Sequence, residues 1–113
     1  MTIIINTADL PSSEIGWEFE GAQYGNASAS FIIVEAAPGM GVALHSHPYE
    51  EIFIVQDGQA TYTVGEATIE ATAGQIIVAP ADVPHAFVNS GTGILRQVDI
   101  HPRGSFVTTW LPE

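Results

Sequence analysis

Apolar residues in this chain fall in short runs or alternate with polar ones. No window of a dozen residues repeats them at the 3.6-residue spacing of an amphipathic helix. Ser30 to Ala37 is a run of Phe, Ile and Val closed by Pro38-Gly39. Glu51 to Val55 is a second run, ended by Asp57-Gly58, a strong hairpin-turn signal. Ala60, Tyr62 and Val64 alternate with Thr61 and Thr63; Ala67, Ile69 and Ala71 then alternate with Thr68, Glu70 and Thr72. Gln75 to Ala79 lies between Gly74 and Pro80, and Ala86 to Val88, Ile94 to Ile100 and Phe106 to Leu111 complete the series. Thr2 to Ile5 reads as an edge strand, and the weakly patterned Thr7 to Ala27 as an outer wrapping, so that residues 1–28 form one entry segment. Some nine short strands with turn signals every 8 to 12 residues predict an all-β fold, an antiparallel sandwich or barrel.

Length and composition narrow this further. A chain of 113 residues has the size of one domain, and 46% hydrophobic residues argue against disorder. The absence of cysteine excludes a disulfide scaffold and a thiolate metal site, so any transition metal must be held by His and carboxylate. Thirteen acidic residues face two arginines and no lysine, a formal charge of −11. Such a surface repels phosphate backbones and anionic lipid, which excludes nucleic acid and a polybasic membrane anchor as partners. Without lysine there is no Schiff-base chemistry. The start, Met1 to Asn6, is too short and uncharged for a signal peptide, and apolar runs such as Phe31 to Val34 cannot span a bilayer. The expectation is a cytoplasmic protein without a membrane partner.

Candidate chemistry lies in the histidines. His45 and His47 are two apart, which on a strand puts both on one face with Cβ atoms roughly 6–7 Å apart. Glu51 follows four residues after His47, with Pro48 between to bend the chain. Of the neighbours Glu50 and Glu51 only one can point inward, and the spacing selects Glu51. His85 follows Pro80-Ala81-Asp82-Val83-Pro84, a loop whose two prolines hold it rigidly. Each feature alone has a plain reading as surface loop residues.

Together they resemble the cupin superfamily. Its first motif, G-x5-H-x-H-x3-E-x6-G, is matched by Gly39, His45, His47, Glu51 and Gly58. Its second, G-x5-P-x-G-x2-H-x3-N, is matched by Gly74, Pro80, His85 and Asn89, with Asp82 where the family usually has glycine. The motifs span residues 39–58 and 74–89, and the strand pattern continues to the C-terminus, so the resemblance covers most of the chain. It implies a single-domain jelly-roll β-barrel with one divalent transition metal ion per chain (Fe, Mn, Ni, Co, Cu or Zn) on His45, His47, Glu51 and His85. Asp tolerates the left-handed backbone that glycine supplies there better than most residues.

Three nitrogens and one carboxylate leave up to two positions open on an octahedral ion, where a small-molecule ligand can bind. Phe31, Ile33, Met40, Phe53, Tyr62, Phe87 and Val98 are candidate lining residues, and Tyr62, His101 and Asp99 are candidate acid–base groups near the mouth. A surface position is the simpler reading of His101, because Pro102 follows it. The functional readings are an enzyme acting on a small oxygenated molecule (dioxygenase, or Lewis-acid isomerase or cyclase), a non-enzymatic binder, and a barrel with a structural metal. Apolar residues on both strand faces and the Thr2–Ile5 edge predict a homodimer, as the resemblance also implies.

Overall fold

The computed structural model describes residues 2–112. The strands are β1 (Ser12–Ser13), β2 (Gly16–Phe19), β3 (Ser30–Ala36), β4 (Gly41–Ser46), β5 (Glu51–Asp57), β6 (Gln59–Val64), β7 (Ala67–Thr72), β8 (Ile76–Ala79), β9 (His85–Asn89), β10 (Leu95–His101) and β11 (Thr109–Trp110). They form two antiparallel sheets, one ordered β1-β2-β3-β10-β5-β8 and the other β11-β4-β9-β6-β7. The all-β antiparallel architecture expected from the alternating pattern is therefore present. No helix among the described residues is long and apolar enough to cross a membrane.

Alternation sorts each strand between two faces. On β10 the buried residues are Leu95, Gln97, Asp99 and His101, while Arg96, Val98 and Ile100 face outward. The inner side is thus the more polar one, against the usual direction of hydrophobic patterning. The same register puts Ile33 beside Val98 and Phe31 beside Ile100 on the outer face. Phe31, Ile33 and Val98, expected to line the interior, therefore lie outside it, and Ile32 takes the inner position on β3. Ring stacking of Phe19 on Phe31 at 4.6 Å and the approach of Ile5 and Leu10 partly cover this outer face.

Inward residues are also graded along the sandwich. Val34, Ala36, Val55, Ala60 and Leu95 make the apolar core at one end, with Phe53, Tyr62 and Phe87 continuing it toward the middle. The other end receives the end of β4, the starts of β5 and β9, and the end of β10, and there the buried residues are His45, His47, Glu51, His85 and His101. Each layer meets its own kind across the sheets, which keeps polar side chains within reach of partners.

Thr2 to Ile5 forms no strand. The edge beside β3 is taken by β2 in the register Trp17↔Ile33 and Phe19↔Phe31, so the segment before it has no ladder to join, and Ile4 is 89% exposed. The tail expected as a strand from Phe106 to Leu111 pairs only at Thr109 and Trp110, against Ser46 and His45.

Candidate metal centre

The chain reaches the site through three local devices. At the start of β4, a side chain on Gly41 would put its Cβ 2.0 Å from the Phe87 carbonyl oxygen, so glycine lets β4 lie against β9 there. Beyond an irregularity after Val42, His45 stands directly opposite His85. The loop before His85 takes the left-handed backbone at Asp82, φ +66°, as expected for a residue standing in for glycine. The Asp82 N–H donates to the His47 carbonyl at 2.8 Å, which ties this loop to the end of β4. Glu51 opens β5 facing inward, while Glu50 is exposed.

One ligand atom from each of His45, His47, Glu51 and His85 lies within 4.8 Å of the others, and all four residues are buried. The resemblance implied this set, and the fold assembles it. Each imidazole is oriented from behind. Nδ1 of His45 lies 2.7 Å from the Ala43 carbonyl, that of His47 2.8 Å from the Val107 carbonyl, and that of His85 3.2 Å from the Val83 carbonyl. A carbonyl only accepts, so in the neutral ring the proton sits on Nδ1 and the Nε2 lone pair faces the cluster.

Those lone pairs meet a carboxylate. Glu51 Oε1 is 2.9 Å from Nε2 of both His47 and His85, in hydrogen-bonding geometry toward His85 alone, while Nε2 of His47 and Nε2 of His101 are buried without a hydrogen-bond partner. Lone pairs and an anion pressed together at this distance repel unless a proton or a metal cation lies among them. A metal ion fits this donor set, and carbonyls holding the far ring nitrogens are the usual support of such ligands. The electrostatics of the rings differ. Burial, opposed by the Ala43 carbonyl and helped by His85, pushes His45 down to about 4, which keeps it neutral. Burial works to raise Glu51, but contacts with His101, His47 and His85 outweigh it and hold the carboxyl well below its usual range. Burial likewise works to lower His47, yet Glu51 and the Val107 carbonyl prevail and raise it, so a proton competes with metal chiefly there.

His101 is only 2% exposed, a correction to the surface position expected before Pro102. It belongs to the inner row of β10, and Pro102 ends the strand after the ring has been turned inward. Its Nε2 lies 3.2 Å from Glu51 Oε2 and its Nδ1 2.7 Å from the Tyr49 hydroxyl. Tyr49 was not among the sequence candidates. Its partner lies 52 residues away, and no local spacing announces the contact.

The other two acid–base candidates form a separate buried chain. The Tyr62 hydroxyl donates to Gln97 Oε1, and Gln97 Nε2 donates to Asp99 Oδ1 at 2.8 Å. Tyr62 is fully buried and stands behind the cavity wall rather than in it, whereas Asp99 is part of the wall. Burial, then the charge of Glu51, raises the Asp99 pKa well above its ordinary value, with Gln97 opposing. A cavity of roughly 440 Å³ opens over the cluster, walled by Ile15, Ile32, Val42, Phe53 and Phe87, with Thr108 and Trp110 contributed by the tail.

The Cupin domain family model matches residues 32–101, and the chain belongs to that family. It is similar in structure to an uncharacterized conserved protein with a double-stranded beta-helix domain from Klebsiella pneumoniae, with TM-score 0.78 and 21% identity over the whole of both chains. It is also similar to the oxalate decarboxylase of Lactobacillus farciminis, solved as a formate complex, with TM-score 0.79 and 25% identity over 92% of this chain and 34% of that one. A third likeness is to the Bacillus subtilis oxalate decarboxylase, a protein with Mn(II) centres, with TM-score 0.80 and 23% identity over 92% of this chain and 30% of that one. The chain thus spans about a third of the length of these decarboxylases. No match was found among curated proteins.

Asp99 makes stability depend on pH in a calculable direction. A carboxyl with a raised folded pKa binds its proton more tightly folded than unfolded. Its contribution is complete below the unfolded value of about 3.9 and is lost as pH rises toward the folded value. In the metal-free protein, Asp99→Asn keeps a neutral side chain at every pH. Its melting temperature relative to the parent is expected to be higher at pH 8 than at pH 5. Thermal melts that give the same difference at both pH values would show that the Asp99 carboxyl does not titrate in this way.

Proposed function

We propose that the protein is a metal-dependent enzyme acting on a small oxygenated organic molecule. The observation that carries this reading is the convergence of three backbone-locked imidazoles and one carboxylate at the foot of an apolar cavity. A bound transition metal would supply Lewis acidity or access to O₂, and Fe, Mn, Ni, Co, Cu and Zn all tolerate such ligands. The chain's own residues do the rest. Ile15, Ile32, Phe53 and Phe87 exclude water and hold the apolar body of a substrate. Asp99 offers a carboxyl from the same wall, its pKa raised by burial and by the charge of Glu51. The reaction is either dioxygenation or a Lewis-acid isomerisation or cyclisation.

Charge restricts the substrate. Arg96 is engaged with Glu35 on the outer face, and Arg103 is exposed. Neither lines the cavity, so a dianion would meet Glu18, Glu51 and Asp99 and no fixed cation other than a bound metal. A neutral or singly charged chelating molecule fits instead. Despite the likeness of fold, oxalate is therefore not the substrate we propose, and a fold by itself does not choose a reaction.

The test begins with metal analysis. Purified protein is expected to hold about one transition metal ion per chain, and His47→Ala is expected to lose most of it. Removal of one of four ligands costs several kcal/mol of the roughly 10–16 kcal/mol typical of tight zinc sites. Metal should also leave as pH falls through about 6, where imidazoles protonate. Full occupancy in the variant, or retention at pH 4, would count against the assignment. An oxygen-uptake and product screen with catechol-like and 1,3-dicarbonyl compounds then separates the chemistries. Absence of turnover with any metal across the panel would favour the alternative, a cupin that binds metal or a small molecule without converting it.

We further propose that the protein pairs with a second copy of itself, through the outer face of β5, β8 and β10. Ile52 stands between Val78 and Ile100, and Ile54 between Ile76 and Val98. Ile76 and Val78 are 63% and 55% exposed, and β8 is a sheet edge without a charged or proline residue. Natural edges are normally protected by such residues. On a chain of net charge −11 this face carries charge only at its end, where Arg96 stands between Glu35 and Asp57, so two copies can meet over the rest without repulsion. Light scattering at micromolar concentration and neutral pH should give twice the 12.0 kDa chain mass, and Val78→Lys should halve it. A parent mass of one chain would overturn this proposal.

A further inference from the structure

The opening of the cavity is chemically different from its floor. Among the residues that line the cavity, Ser13, Glu18, Ala43 and Trp110 are exposed. They come from β1 and β2 at the edge of one sheet and from β4 and β11 at the edge of the other, so a ligand enters between these two edges. Register decides which way Glu18 faces. Glu18 pairs with Ile32, Ile32 with Asp99 and Asp99 with Phe53, which makes one row across the first sheet. Paired residues share a face, and Ile32, Asp99 and Phe53 all line the cavity. The Glu18 side chain therefore stands on the inner side, at the outermost position of that row, while its neighbours Trp17 and Phe19 face outward beside Ile33 and Phe31.

Among the described residues, the ion pairs involve Glu51 and Glu35 and leave Glu18 without one. The chain has no lysine to supply a partner, and Arg96 is engaged with Glu35. Facing Glu18 from the other edge is Trp110. Its backbone is paired with His45 and its indole lies 5.0 Å from the His45 ring, yet the residue is 62% exposed. An indole held in place with an open face gains from any ligand that covers it. An aromatic face and an unpaired carboxylate also attract the same kind of group. The ring quadrupole draws a cation over its face, and the carboxylate draws it by charge.

We propose that the site selects a chelating molecule that carries a protonated amine, with the ammonium group held at the mouth of the cavity between the Glu18 carboxylate and the Trp110 indole. This deepens the reading of the cluster as a metal site for a small oxygenated ligand, and rests on it. The oxygens of such a ligand reach the floor of the cavity, its apolar body lies against Ile32, Phe53 and Phe87, and its charge stays in the wet opening. An ammonium there keeps part of its hydration, so desolvation does not cancel the attraction. Glu18 and Trp110 are then specificity-determining residues that touch neither the metal nor the chelating oxygens.

Three catechols of nearly the same shape test this without any turnover: dopamine, 4-ethylcatechol and 3,4-dihydroxyphenylacetate, whose side chains are cationic, neutral and anionic. Their affinities for the zinc-loaded protein are measured anaerobically by titration calorimetry, at an ionic strength of about 0.05 M, where surface charges are only partly screened. Dopamine is expected to bind about tenfold more tightly than 4-ethylcatechol, and the anion about threefold more weakly, the scale of one exposed ion pair and one cation–π contact. Glu18→Gln is expected to lower the dopamine preference about fivefold and Trp110→Leu about threefold. Glu70→Gln removes the same charge from an exposed position on β7 that does not line the cavity, and is expected to leave the preference unchanged. Equal affinities of dopamine and 4-ethylcatechol for the parent would overturn the proposal. So would an equal fall in Glu18→Gln and Glu70→Gln, which would make the preference a property of the whole chain's charge. An unchanged preference in Trp110→Leu would remove the indole from the assignment, and Trp110→Phe repeats that comparison with an aromatic face if the Leu variant does not fold. Failure of the parent to take up zinc, or of the zinc-loaded protein to bind 4-ethylcatechol, would instead overturn the reading of the site on which the proposal stands.

Discussion

A carboxylate is buried among four imidazoles, 2.9 Å from two of them and 3.2 Å from a third, and the remaining architecture makes that burial tolerable. A charged group taken out of water destabilises a fold by several kcal/mol unless it is paired and hydrogen-bonded. Here no lysine or arginine supplies the pairing. The compensation comes from backbone carbonyls of Ala43, Val83 and Val107, which orient His45, His85 and His47, and from the donor set itself, which suits a cation. Placing those carbonyls requires three separate pieces of chain, the end of β4, the proline-bounded loop before β9 and the tail after β10, to meet at one end of the sandwich. The apolar core at the opposite end anchors the strands that bring them there.

The ligand set was legible because His45, His47, Glu51 and His85 sit at fixed intervals around turns, and spacing survives in a sequence. The all-β class was legible because Gly and Pro cut the chain into lengths suited to strands. What could not be read was which face of β10 is inside. Leu95-Arg96-Gln97-Val98-Asp99-Ile100-His101 alternates cleanly, but hydrophobicity points the wrong way: Val98 and Ile100 are outside, while Gln97, Asp99 and His101 are buried. A period of two tells that a strand has two faces and leaves their assignment to hydrophobicity, which fails where a protein buries polar groups for function. The same inversion misplaced Phe31 and Ile33, since their register follows that of β10. Thr2 to Ile5 misled for a different reason. Its composition suits a strand, but pairing depends on a free edge, and β2 occupies it.

The likeness to oxalate decarboxylases and to a Klebsiella pneumoniae protein of the same fold is a likeness of scaffold, at 21–25% identity. The cavity decides what the scaffold is used for. This one has a largely apolar wall, a buried carboxyl with a raised pKa and no lysine or arginine.

The tail joins the wall of the cavity to the geometry of the metal centre. Trp110 pairs with His45 on β4, and Leu111 N–H donates to the Leu44 carbonyl at 3.1 Å, so the tail is laid along the strand that carries two of the four ligands. Thr108 and Trp110 close the cavity. Between them and Phe106, Val107 accepts from His47 with its carbonyl and donates to the Tyr49 hydroxyl with its N–H, so one residue holds two side chains beside the cluster. A displacement of this segment wide enough to admit a ligand would therefore also loosen His47 and Tyr49. Access to the cavity and readiness of the donors are set by the same few residues, and a substitution in the tail that changes one is bound to change the other.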